Sequence, residues 1–150
     1  MHRVRSRILL LGGLIGLLAA CGEIPGGAAG ISGTVTAPAG GVITATEVFA
    51  CFGNERDCSR VGATTITQDG ASAPYRLSVP RGSYGVSAYK DSDRNGQVSN
   101  GDLYGYYSPA PGVIGQVTPP ATGIDITMDR LTGTTPAPVR ESLREIVSDR

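Results

Sequence analysis

The sequence predicts an all-β fold, a seven-stranded antiparallel β-sandwich with a short C-terminal helix. Three observations carry that expectation. The chain of 150 residues holds 22 glycines and 10 prolines with 40% hydrophobic residues, a composition suited to short strands joined by many turns. Apolar residues recur with a period of two in several short runs, the mark of half-buried strands. Those runs crowd into residues 31–130, a spacing that fits two packed sheets. A chain of this length makes one domain.

The strands are preceded by residues 1–20, where Arg3, Arg5 and Arg7 lead into an apolar stretch from Ile8 to Leu18 and then small residues. This is the pattern of a secretion signal, and the apolar stretch is too short to span a bilayer comfortably. Directly behind it, Leu18-Ala19-Ala20-Cys21 resembles the lipobox of bacterial lipoproteins. The resemblance implies cleavage before Cys21, a diacylglyceryl thioether on its sulfur and an amide-linked acyl chain such as palmitate. The chain would then be held extracytoplasmically, with the membrane as its first partner. Several acyl chains anchor firmly because each buried methylene contributes about 0.8 kcal/mol. Gly22 stands where Asp would signal inner-membrane retention, so an outer-membrane address is favoured if the cell has one. Residues 21–30 then form a flexible tether, rich in Gly and Ala, reaching roughly 15–18 Å.

Ile31, Gly33 and Val35 alternate with Ser32, Thr34 and Thr36 to give the first strand. Residues 42–52 predict a central strand buried on both faces. Cys51 and Cys58 bracket a turn-forming stretch in an exported chain and are expected to pair as a disulfide, free thiols being the alternative. Closing that eight-residue loop contributes about 2.5 kcal/mol on the chain-entropy model. Residues 61–67 read as a weaker strand. Tyr75, Leu77 and Val79 alternate with Arg76 and Ser78, and residues 83–90 and 103–108 flank an acidic loop. Ile124, Ile126 and Met128 against Asp125, Thr127 and Asp129 mark the closing strand. Residues 131–150 are linker and tail, in which Val139, Leu143, Ile146 and Val147 lie at helical spacing. A helix of about ten residues is marginal alone, so it either docks on the sandwich or frays.

The acidic loop is Asp91-Ser-Asp-Arg-Asn-Gly-Gln-Val-Ser-Asn-Gly-Asp102. Side-chain oxygens at its first, third, fifth and twelfth positions belong to Asp91, Asp93, Asn95 and Asp102, with Gly96 sixth and the Gln97 backbone carbonyl at the seventh. That is the spacing of a twelve-residue Ca²⁺ loop, and a hard cation taking six to eight oxygens is what such a set holds. Asp102 stands where Glu is usual and is one methylene shorter. The flanks read as strands, so the likeness to a helix-flanked calcium loop covers the loop alone. The same residues also fit a long polar hairpin in which Asn95-Gly96 and Asn100-Gly101 are ordinary turns.

Ile31-Ser-Gly-Thr-Val-Thr36 resembles the opening strand of carboxypeptidase regulatory-like domains, and so does Val79-Pro-Arg-Gly-Ser-Tyr-Gly-Val86 a later one. In many secreted bacterial relatives a Gly-x-Tyr strand leads into an Asp-x-Asp/Asn-x-Asn-Gly run, an acidic residue and Gly-Tyr-Tyr. Here these are Asp91 to Gly96, Asp102 and Gly105-Tyr106-Tyr107. The resemblance implies a transthyretin-like, broadly immunoglobulin-like sandwich over residues 31–129, and such domains are usually not catalytic.

Charge and composition narrow the function. Without the three signal arginines, ten basic residues face thirteen acidic ones, which disfavours nucleic acid as a partner. The one histidine, His2, lies in the signal, which removes histidine-dependent nucleophilic chemistry and histidine zinc ligation. Asp125 and Asp129 are a weak acid pair for glycoside hydrolysis, since they alternate with apolar residues as solvent-facing charges do. The expectation is therefore a non-catalytic structural or protein-interaction module of the cell envelope with a calcium loop. The alternative is a glycan- or peptide-binding module whose platform is a tyrosine face at Tyr89, Tyr104 and Tyr107.

Overall fold

The structure, a computed structural model, describes residues 28–52 and 58–148. The residues read from sequence as a signal, Cys21, most of those read as a tether, and residues 53–57 lie outside the described residues. Nine strands and one helix are present: β1 (Ala29–Thr36), β2 (Glu47–Phe52), β3 (Ser59–Thr65), β4 (Ser72–Val79), β5 (Tyr84–Lys90), β6 (Leu103–Tyr106), β7 (Gln116–Val117), β8 (Ile126–Thr127), β9 (Asp129–Arg130) and α1 (Ala137–Ser148).

They form two sheets, one ordered β4-β1-β8 and the other β3-β2-β5-β6-β9, with β7 also on β5. The sheets share one core. Ile31, Val35, Leu77, Val79 and Ile126 of the first meet Val48, Ala50, Val86, Ala88 and Leu103 of the second. The chain is thus mostly β in a sandwich-like arrangement, with nine described strands where seven were expected.

Two differences from the sequence expectation have clear causes. The expected strand at 42–52 begins only at Glu47, because Ala45 takes a left-handed φ of 65° and turns the chain, leaving Val42 47% exposed. From Val48 to Cys51 every residue is buried, as a strand covered on both faces requires. The closing strand is split. Ile126 and Thr127 pair parallel with β1, whereas Asp129 and Arg130 pair antiparallel with β6, so the chain changes sheets at the fully buried Met128. The sheets are therefore not purely antiparallel. A side chain at Gly33 would lie 2.1 Å from the Ile124 carbonyl oxygen, and one at Gly105 2.6 Å from that of Thr127, so glycine admits the crossing segment against both sheets.

β1 begins at Ala29, two residues inside the segment read as tether. β4 alternates buried and exposed residues from Ser72 to Val79. It lies at a sheet edge, where Pro74 costs no ladder hydrogen bond. Cys51 and Cys58 are joined as a disulfide with Cα atoms 4.9 Å apart, beside a bulge between β2 and β3.

The C-terminal helix docks. Leu143, Ile146 and Val147 bury against Phe49, Cys51, Tyr89 and Leu131, on the face of the second sheet turned away from the shared core. No helix among the described residues is long and apolar enough to cross a membrane.

Candidate metal centre

Residues 91–102 join β5 to β6, which pair antiparallel from Ser87↔Tyr106 to Lys90↔Leu103. The hairpin brings both ends of the loop together, so Asp91 and Asp102 start as neighbours. Arg94 at φ 58° and Gly96 at φ 73° then turn the chain twice through the left-handed region, folding Asp93 back toward them. For Arg94, with its Cβ, that conformation is uncommon and is held by the bonds around it.

One oxygen from each of Asp91, Asp93 and Asp102 lies within 4.8 Å of the others. Two oxygens each about 2.3–2.6 Å from one Ca²⁺ can be at most about 5.2 Å apart, so no pair of the three is too widely separated to share an ion. Among the described residues the one ion pair is Glu47 with Arg60, so no lysine or arginine there lies at ion-pair distance from this trio. Their negative charge is met by hydrogen-bond donors.

Asp91 Oδ2 accepts from the Gly96 N–H at 2.8 Å and Oδ1 from the Asn95 N–H at 3.2 Å. Partial burial alone would raise the Asp91 pKa. The N–H groups of Gly96, Asn95 and Arg94 outweigh it and hold the carboxyl below its ordinary value. Asp93 accepts from Asn95 Nδ2 at 2.8 Å and Ser99 Oγ at 3.2 Å.

Asp102 is the buried member, 1% exposed. Its Oδ2 receives the Ser99 N–H at 2.7 Å, the Tyr89 hydroxyl at 2.9 Å and Ser99 Oγ at 3.3 Å. Its Oδ1 receives the Ser92 N–H at 2.8 Å. A carboxylate has about four lone-pair sites, so Oδ1 keeps one for an ion. A metal ligand giving a single oxygen would need no more than that.

Asn95 and Gln97 are less directly placed. The Asn95 side-chain oxygen accepts the Gln97 N–H at 2.7 Å, which shapes the turn. The Gln97 carbonyl accepts the Tyr89 hydroxyl at 3.3 Å and so shares that donor with Asp102.

The expected tyrosine face is not assembled. Tyr89 is fully buried beneath α1, since an apolar helix stripe needs a sheet face to cover and takes this one. Tyr104 packs against that helix-side cluster, while Tyr107 packs against the core between the sheets. Three residues apart, they fall on opposite faces by the period-two alternation of a strand. Asp125 and Asp129 are exposed, and Asp125 Oδ1 accepts the Thr34 N–H at 2.8 Å, tying it to β1.

Ser92 and Ser99 were not singled out from sequence, and Tyr89 was expected on a ligand face and not as a support of the loop. Tyr89 alternates with Ser87 and Gly85, which reads as an open face; the signal pointing the other way was the apolar stripe of the tail. No family model, curated protein or solved structure matches this chain.

Proposed function

We propose that this chain is a lipid-anchored, extracytoplasmic, non-catalytic module of the bacterial cell envelope, serving a structural or protein-interaction role, whose β5–β6 loop holds a structural Ca²⁺. The observation that carries the reading is the convergence of Asp91, Asp93 and Asp102 within 4.8 Å, with no cationic side chain among the described residues paired to them. Those three carboxylates, the Asn95 side chain and the Gln97 carbonyl would hold the ion. The bound ion would cancel their mutual repulsion and fix the hairpin. The two-sheet arrangement is compatible with the transthyretin-like sandwich of carboxypeptidase regulatory-like domains, a class used as spacer and binding modules. Lipid attachment at Cys21 rests on the Leu18–Cys21 motif behind a signal segment.

Calorimetry tests the ion. The melting temperature should rise with Ca²⁺ and fall on chelation, and an Asp91→Ala, Asp93→Ala double variant should lose the difference. No shift in the parent protein removes calcium from the reading. Membrane fractionation tests the anchor: Cys21→Ser should move the protein from the membrane pellet to the soluble fraction, and retention in the pellet would refute lipidation at that residue.

A further inference from the structure

The acidic loop and the C-terminal helix, far apart in sequence, are fastened together at three points. The first runs through Tyr89. Its hydroxyl binds both Asp102 and the Gln97 carbonyl, while the residue belongs to the buried cluster that receives Leu143, Ile146 and Val147. The second is Leu131, 1% exposed in the same cluster, whose N–H donates to the Asp102 carbonyl and whose own carbonyl accepts the Gly101 N–H. The third is Arg140 in the first turn of α1, which donates to Asn100 Oδ1 on the loop and to the Thr132 carbonyl.

Beneath this strap lies an apolar groove between α1 and the second sheet, lined among others by Cys51, Tyr104, Tyr106, Val139, Leu143 and Ile146. The helix has twelve residues, too few to be stable alone, so it stays helical only while docked.

We propose that α1 is a releasable strap latched by the acidic loop. Closure of the loop around Asp102 and docking of the helix are one event, and opening the loop frees the helix and uncovers the sheet face beneath. For its trigger, Ca²⁺, the proposal rests on the functional reading above; the fastening of loop to helix does not depend on it. Repulsion among the loop carboxylates pulls against Asp102, and Asp102 is joined to Tyr89 and Leu131. Strain there reaches the helix through side chains that pack directly against it.

Hydrogen–deuterium exchange on the full chain decides the matter, with Tb³⁺ luminescence as an independent readout of ion binding. Tyr89 lies beside the loop and is placed to sensitise the lanthanide. Luminescence that Ca²⁺ displaces establishes binding. Helix amides at 137–148 should then exchange at least about tenfold faster in chelator than in Ca²⁺. Arg140→Ala should narrow that difference while loop amides keep their Ca²⁺ response. Ion binding with equal helix exchange in both conditions overturns the strap and leaves the calcium site standing. If neither Tb³⁺ nor Ca²⁺ binds, the calcium reading fails by itself and Tyr89→Phe decides the strap. That variant keeps the ring in the helix cluster and removes only the hydroxyl held by the loop. Helix exchange at least about tenfold faster supports the coupling, and unchanged exchange refutes it.

Discussion

Replacing Asp93 with Asn should stabilise the ion-free protein and weaken its response to calcium, a reversal of sign that only a shared charge cluster produces. Three carboxylate oxygens within 4.8 Å make three repulsive pairs. At that separation each pair costs about 0.9 kcal/mol in bulk water and about 3.5 kcal/mol at an effective dielectric near 20. Asp93 is exposed, so the lower figure governs its two pairs, and neutralising it relieves about 2 kcal/mol. Against this stand the bonds from Asn95 Nδ2 and Ser99 Oγ to one Asp93 oxygen, which an amide nitrogen there cannot accept, a loss of about 1 kcal/mol. The net gain of about 1 kcal/mol corresponds to a melting temperature about 4 °C higher in chelator. With saturating Ca²⁺ the same substitution removes an ionic ligand, and each tenfold loss of affinity subtracts about 1.4 kcal/mol from the calcium increment. Differential scanning calorimetry of both proteins in both conditions measures all four values. If Asp93→Asn lowers the melting temperature equally with and without calcium, the carboxylates are ordinary hydrogen-bond acceptors of a hairpin and the cluster argument is wrong.

Gly33→Ala should cost about 3 kcal/mol or more in urea unfolding, because its Cβ would sit 2.1 Å from a backbone oxygen of the closing segment, which has to move; an unchanged midpoint would show that this segment does not cross β1 there. Thr46→Val should leave stability unchanged or raise it by about 1 kcal/mol. The Thr46 hydroxyl is buried without a hydrogen-bond partner, and Val keeps its shape; a clear loss would mean that the hydroxyl has a bonded neighbour such as water. The donors around Asp91 hold its folded pKa below the ordinary value near 3.9, so its contribution is complete above that pH and is lost as pH falls through the folded value. Acid titration of stability in chelator should therefore decline below about pH 4, with a smaller decline in Asp91→Asn; identical curves would refute that role.

Much of the fold was legible because burial writes a period-two pattern wherever one strand face meets the core. β4 shows it without interruption, and Ile31, Val35, Tyr75, Leu77 and Val79 all fall in the shared core as the alternation predicts. What the pattern cannot encode is a change of sheet in mid-strand. Ile124, Ile126 and Met128 keep one phase throughout, yet the first sheet claims Ile126 and the second claims Asp129. Both sheets pack on the same core, so an inward residue looks alike whichever sheet supplies its hydrogen bonds. Ala45 was hidden for a different reason, since no local residue preference announces a left-handed alanine.

The loop was legible in its ligand types and less so in its supports. Spacing alone proposes that Asp91, Asp93 and Asp102 converge, because a glycine-turned loop between paired strands leaves few other places for alternate side chains. It does not reveal that the third acid is buried or what keeps it there. Burial of Asp102 requires donors, and Tyr89 supplies one only because the helix has closed over its ring, 48 residues or more away along the chain. Tyr89 and Tyr104 looked like part of a binding platform for the same reason that the helix looked free to fray: each is half of one interface, and each half alone appears exposed. Joined, they set the loop's innermost carboxylate one hydrogen bond from the helix-side core, the contact through which the proposed strap would be latched.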